Sequence, residues 1–216
     1  ARAGIPVVLV GDESKLRQGL SQRGEELDIV HAPDVIGMEE QGTDVRRRRE
    51  SSVMRAAELV KAGEASALVS MGHSGATMAA SLLVLGRLGG VERPAIVANV
   101  PTDNGVVALL DVGANADCRP SHLQQFGLMG AVYAQAMLGR KDPRVGLISI
   151  GEEAQKGNEL TRNAHELLAA TEFIDFYGNV EGRDLLRGTT EVMVTDGFTG
   201  NVMLKLAEGE ARGLLG

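Results

Sequence analysis

Short β-branched runs recur along this chain, each followed by a glycine-rich loop and then by apolar residues at helical spacing. Pro6 to Val10 reads as a strand, and Asp12 opens a helix towards Gln22. Asp28 to His31 is a second short strand. Ser51 or Ser52 is placed to cap a helix that runs through Lys61 and stops at Gly63, with Val53, Ala56, Ala57 and Val60 on one face. Ala67 to Ser70 reads as the next strand, followed by the loop Met71 to Gly75 and a helix from Ala76 to Leu85.

The second part of the chain repeats the pattern. Ala95 to Val100 and Val106 to Val112 read as strands joined through Pro101-Thr102-Asp103-Asn104-Gly105, a turn signal that favours a hairpin. Ser121 to Leu138 is a long helix with Leu123, Phe126, Gly130, Tyr133 and Met137 on one side. Val145 to Ile150, Phe173 to Tyr177 and Val192 to Thr195 are strands, Glu159 to Ala169 is a helix, and a last helix starts near Asn201. Strands alternating with helices predict an α/β fold: a mostly parallel sheet, mixed if the hairpin forms, with helices on both faces. No repeat of fixed period, low-complexity tract or linker interrupts residues 1–216, so a single α/β domain is expected.

Composition narrows the function classes. Apolar residues make up 44% and aromatics only 3%, so the core is built from aliphatic side chains. The formal charge of −7 argues against a general nucleic-acid binder. The one basic run, Arg46, Arg47, Arg48 and Arg49, is either a solvated segment or a dock for an acidic partner. Cys118 is the only cysteine, which rules out an internal disulfide and fits a reducing compartment. No apolar stretch reaches the roughly 18 residues of a membrane span, and no signal peptide is visible. The chain begins at Ala1 rather than Met, and Glu208 to Gly216 look like a helix cut short, so a fragment is expected.

The candidate chemistry lies in the loops after the strands, because open α/β sheets bind ligands beyond the carboxyl ends of their strands. These loops carry Gly72, His73 and Ser74; Asp111 and Asn115; Lys156 and Asn158; Arg183; and Asp196, Gly197 and Asn201. One such loop is ordinary turn chemistry. Several at one sheet edge, each leading into a helix N-terminus and supplemented by Lys156 and Arg183, make a polar cleft suited to phosphate or another small anion. The P-loop and dinucleotide signatures are absent, the four histidines lack metal-ligand spacing, and no zinc site, other metal or cofactor is expected. Gly72-His73-Ser74-Gly75-Ala76 approaches a nucleophile elbow, which leaves open a hydrolase using Ser74 with His122 or His165. A helix N-cap or an anion donor is the plainer role for Ser74.

Taken together, Asp111-Val112-Gly113-Ala114-Asn115, Pro120-Ser121-His122-Leu123-Gln124-Gln125-Phe126, Ile150-Gly151-Glu152-Glu153, Lys156-Gly157-Asn158-Glu159-Leu160, Gly178-Asn179-Val180-Glu181-Gly182-Arg183-Asp184 and Asp196-Gly197-Phe198-Thr199-Gly200-Asn201-Val202 resemble the bacterial phosphate acyltransferases (acyl-ACP:phosphate transacylases) over nearly the whole chain. The resemblance implies a fold like isocitrate and isopropylmalate dehydrogenases and phosphotransacetylase. It implies transfer of a fatty acyl group from acyl carrier protein to inorganic phosphate, giving acyl phosphate for phospholipid synthesis. It further implies a cytoplasmic homodimer with peripheral membrane contact in the full-length protein, and Lys156 and Asn201 as catalytic residues. Gly72, His73, Ser74, Asp111, Asn115, Asn158, Arg183, Asp196 and Gly197 would shape the phosphate pocket, and the four arginines would dock the carrier. The chain departs from the family at His73-Ser74, where Asn-Thr is usual, and at Ser149, where Asn is usual. The family's earlier N-terminal strand and later C-terminal helices are not found in the sequence. A short-chain acyl-CoA enzyme and a non-catalytic carrier-protein or membrane scaffold are the competing readings.

Overall fold

The computed structural model of the protein describes residues 4–215; residues 1–3 and 216, the ends of the expected single domain, lie outside them. Contacts divide the chain into two compact units, Ala1–Leu88 and Gly89–Gly216.

In the first unit, β1 (Val8–Gly11) and β2 (Asp28–His31) pair in parallel and are joined by α1 (Glu13–Arg23). Asp12 caps α1 by accepting from the Lys15 N–H, and Gly24 closes it in the left-handed conformation at φ 63°. A 3-10 turn over Gly42–Arg46 leads to α2 (Ser52–Ala62), which ends at Gly63 as its sequence predicts. Met54 and Ala57 are the buried residues of α2, while Val53, Ala56 and Val60 of the expected face are only half-buried. With Ile36, Val45 and, from α3 (Ser74–Val84), Ala76, Ala80 and Val84, they form the core of the unit.

The expected strand at Ala67 to Ser70 is not formed. The segment is irregular, with Val69 89% and Met71 97% exposed, because no strand among the described residues lies beside it to complete a ladder. Its β-branched composition is a preference that needs a neighbour before it becomes structure.

The second unit is built on a five-stranded sheet with the order β3 (Val97–Thr102), β4 (Gly105–Leu110), β7 (Val192–Val194), β5 (Arg144–Ile148) and β6 (Asp175–Val180). The hairpin is present: β3 and β4 are antiparallel and turn at Asp103-Asn104. All other pairings are parallel, so the sheet is mixed. The two-residue side-chain period sorts the core to its two faces. Ala108, Leu110, Val145, Leu147, Val192 and Val194 pack against α4 (Pro120–Leu138) and α5 (Glu159–Ala169) through Leu123, Phe126 and Leu168. Val107, Leu109, Ile148, Val180 and Met193 pack on the opposite face with Leu185 of α6 (Gly182–Arg187) and Met203 and Leu204 of α7 (Gly197–Leu215).

Several boundaries move. Met137, expected beside Leu123 and Phe126, is 68% exposed near the end of α4. Phe173 is 86% exposed because β6 begins only at Asp175. The short helix α6 was not expected from the sequence, and α7 starts at Gly197, ahead of Asn201.

Candidate active site

Four parallel strands of the second unit deliver their carboxyl ends, and the loops after them, to one edge of the sheet. After β4 the chain enters Asp111 to Asn115. After β7 it enters α7. After β5 it enters the Gly151 to Asn158 loop, and after β6 it enters α6. The parallel register explains why these four loops come together; the fifth loop that the sequence groups with them, Met71 to Gly75, follows no strand and belongs to the first unit.

Asp111 is fully buried and organises the first loop. One carboxylate oxygen accepts from the N–H groups of Ile96 (3.0 Å), Gly113 (3.2 Å) and Ala114 (3.0 Å). The other accepts from the Asn115 N–H at 2.7 Å and the Asn115 side-chain amide at 2.9 Å. Asn115 also donates to the Pro94 carbonyl at 2.8 Å and is 5% exposed. Both side chains are therefore spent on the loop itself.

The start of α7 is seated on that loop. Asp196 caps the helix, accepting from the Thr199 N–H at 2.9 Å and its hydroxyl at 2.8 Å. The Gly197 N–H donates to the Asn115 carbonyl at 2.8 Å. A Cβ at Gly200 would overlap the Asp111 carbonyl oxygen, so only glycine permits this approach of helix to loop. Asn201 follows it; its side chain is exposed, lies over Gly113 and makes no hydrogen bond among the described residues.

Lys156 sits in the adjacent loop, after β5. Its N–H donates to the Glu153 carbonyl at 2.9 Å, and its own carbonyl accepts from the Ser149 hydroxyl at 3.2 Å. Gly157 follows at φ 101°, where a Cβ would overlap the Thr161 hydroxyl. Asn158 caps α5 through the Thr161 N–H at 2.9 Å. The backbone is fixed, yet the Lys156 side chain is exposed and forms no ion pair among the described residues. Arg183 differs. Its guanidinium lies against Glu181 and, at 3.6 Å, Glu152, so its charge is already balanced. Glu152, Glu181 and Asp184 are close enough together to hold a cation, and Arg183 supplies counter-charge to two of them.

Gly72, His73 and Ser74 belong to the first unit. His73, not Ser74, is the N-cap of α3: Nδ1 accepts from the Ala76 N–H at 3.3 Å, and Nε2 lies 3.0 Å from the Glu40 carbonyl. Arg48 is also engaged there, with Asp34, Glu40 and the Val35 carbonyl, whereas Arg46, Arg47 and Arg49 are exposed without such partners among the described residues. His122 secures the start of α4 between the Arg119 N–H (3.1 Å) and Glu92 (3.1 Å). Cys118 is half-buried at the foot of α7; burial pushes its thiol up to about 11, opposed by the Gly197 N–H.

The chain matches one family model, described as fatty acid synthesis protein, over residues 1–215. The chain belongs to that family. Several of its relatives are named phosphate acyltransferase. One, from Thermus thermophilus, is 62% identical over 215 residues, covering 100% of this chain and 66% of the relative. Another, from Deinococcus radiodurans, is 54% identical over 222 residues, covering 100% of this chain and 62% of the relative. The chain thus spans just under two thirds of the length of these relatives. Among solved structures it is similar to the EutD phosphotransacetylase from Staphylococcus aureus, with a TM-score of 0.67 at 17% identity over 95% of this chain and 74% of that one. It is also similar to a branched-chain phosphotransacylase from Enterococcus faecalis, with a TM-score of 0.63 at 16% identity over 93% of this chain and 83% of that one. These two likenesses establish the phosphotransacetylase-like fold that the sequence resemblance implied. Among the described residues, no helix is long and apolar enough to cross a membrane.

Proposed function

We propose that this chain is a phosphate acyltransferase, as its relatives are named, and that it works in the form the sequence resemblance implies: transfer of a fatty acyl group from the thioester of acyl carrier protein to inorganic phosphate. An oxygen of hydrogen phosphate attacks the thioester carbonyl, a C–O bond forms, the C–S bond breaks, and the phosphate's proton passes to the departing sulfur, so acyl phosphate leaves with the carrier's free thiol. No protein nucleophile is needed, and phosphate as its dianion needs no general base.

The observation that carries this reading is a contrast within one sheet edge. Asp111, Asn115, Asn158 and Asp196 spend their polar groups on loops and helix caps, and Arg183 is balanced by two glutamates. Lys156, on the loop after β5, and Asn201, in the second turn of α7, have exposed, unengaged donors among the described residues. In this reading Lys156 places a positive charge beside phosphate or the developing oxyanion, and Asn201 donates a hydrogen bond to the same charge. Asp111, Asn115, Asn158, Asp196 and Gly197 hold those two groups in place, which serves a reaction that depends on bringing two reactants together. Gly72, His73 and Ser74 are assigned to phosphate binding on the family resemblance alone. Arg46, Arg47 and Arg49 are proposed to dock the acidic carrier, together with the homodimer, cytoplasmic location and peripheral membrane contact that the family resemblance implies.

The test is product identity. Long-chain acyl carrier protein with phosphate is expected to give acyl phosphate, seen directly by phosphorus NMR, and acyl-CoA of short chain is expected to be a poor donor. Preference for the short acyl-CoA overturns the carrier-protein assignment in favour of a phosphotransacetylase-like enzyme. Release of free fatty acid without phosphate overturns the transferase.

A further inference from the structure

The turn that presents Lys156 is held from outside by a side-chain relay. Asn179, on β6, pairs in register with Leu147 of β5 and is 3% exposed. Its amide nitrogen donates to the Glu153 carbonyl at 2.8 Å, the same oxygen that receives the Lys156 N–H at 2.9 Å. Its amide oxygen faces Nδ1 of His165 on α5 at 2.9 Å. Because the Asn179 nitrogen is committed to Glu153, its oxygen can only accept, so Nδ1 of His165 carries a proton. The imidazole is fixed in turn by an edge-on contact with Phe176, with ring centroids 5.0 Å apart and planes at 74°.

We infer that Asn179, oriented by His165, is a positioning residue for Lys156, an inference that rests on the catalytic reading of Lys156. The relay joins the strand beside the loop and the helix after it to the carbonyl at the loop's centre. A buried amide that loses its partner has no water to replace it, so the turn has one low-energy conformation while the relay is intact. A lysine on a four-carbon stem gains precision only if its backbone is held, and misplacing a reacting group by about 1 Å costs up to about a hundredfold in rate. Ser149 bonding to the Lys156 carbonyl braces the other side of the same residue.

The experiment uses the intact protein with three variants, Asn179→Ala, His165→Leu and His165→Asn, each alone and combined with Lys156→Ala. Turnover is read from phosphate-dependent acyl transfer, and loop order from deuterium uptake. Asn179→Ala and His165→Leu are expected to lower kcat by about tenfold or more and to raise uptake over residues 151–157 but not over 145–148. His165→Asn, whose amide nitrogen takes the place of Nδ1, is expected to restore both. In the Lys156→Ala background the further loss is expected to vanish. Losses that multiply beside an already impaired Lys156→Ala, or uptake that does not change, overturn the inference alone. Full activity in Lys156→Ala overturns the reading of the site and this inference with it.

Discussion

Asp111 holds Asn115 twice, through the backbone N–H at 2.7 Å and the side-chain amide at 2.9 Å, and the Asn115 carbonyl then receives the Gly197 N–H at 2.8 Å. One buried carboxylate thereby sets the loop on which the helix bearing Asn201 is seated. The substitution Asp111→Asn puts an amide nitrogen where a carboxylate oxygen now accepts, so a donor faces other donors. Leaving several buried N–H groups without an acceptor costs about 1–3 kcal/mol each. Asp111→Asn is therefore expected to lower stability by at least about 3 kcal/mol, measured by urea denaturation, and to reduce acyl transfer even under conditions where it remains folded.

Two glycines of α7 are expected to respond in opposite directions. At Gly200 a Cβ would overlap the Asp111 carbonyl oxygen, so Gly200→Ala is expected to destabilise by about 1–3 kcal/mol. At Gly209 nothing lies within 4 Å, and Gly209→Ala is expected to stabilise by about 0.5–1 kcal/mol. Thermal denaturation of both variants checks the pair; equal shifts would contradict the close docking of α7 on the Asp111 loop.

Arg48 is set apart from its basic neighbours by its ion pairs. Its guanidinium holds the Asp34 carboxyl below its ordinary range, and the Gly37 N–H, with Arg48, does the same for Glu40. Depressed carboxylates stabilise the fold above the ordinary carboxylate range, and that contribution is lost as pH falls through their folded values. Arg48→Ala is expected to lower the Tm at pH 7, with the gap from wild type closing in acid below about pH 4. Joint replacement of Arg46, Arg47 and Arg49 by Ala is expected to leave the Tm unchanged and to raise the KM for acyl carrier protein while weakening its salt dependence. An unchanged KM removes the docking role.

Cys118 gives a readout at the base of the site. Burial raises its thiol to about 11 from an ordinary value of 9.0. A raised folded value favours the protonated thiol, so its contribution is complete below pH 9 and is lost as pH rises towards 11. The Tm is expected to fall over that interval less steeply in Cys118→Ala than in wild type. At neutral pH the native thiol is expected to react slowly with a thiol-specific disulfide reagent, and quickly once unfolded.

The parts of the fold legible in the sequence are those whose signals are local. Asn104-Gly105 marked the hairpin, Asp12 marked the start of α1, and Gly63 marked the end of α2. Ala67 to Ser70 misled because β-branched residues form a strand only beside another strand. Helix α6, six residues long, is too short to show an apolar period, although Glu181 and Asp184 carry its capping box. Asp196 and Thr199 start α7 a full turn ahead of Asn201, a capping signal already present in the residue types. At the site, the loops were identifiable but the direction of each side chain was not. Asp111 and Asn115 point into their own loop, Arg183 towards two glutamates, and Asn179 beneath the Lys156 turn. Residue type and spacing do not determine such directions; the packing of neighbouring strands does.

The measurement that bears most directly on the site is single-turnover acyl transfer to phosphate by Lys156→Ala and Asn201→Ala, with hydroxylamine trapping the acyl phosphate. The rate is expected to fall about 10²–10³-fold in Lys156→Ala and by less in Asn201→Ala. The Tm of each is expected to stay close to wild type, because both side chains are exposed and engage nothing else among the described residues. Wild-type rates in both variants would contradict the assignment of the site to these two residues.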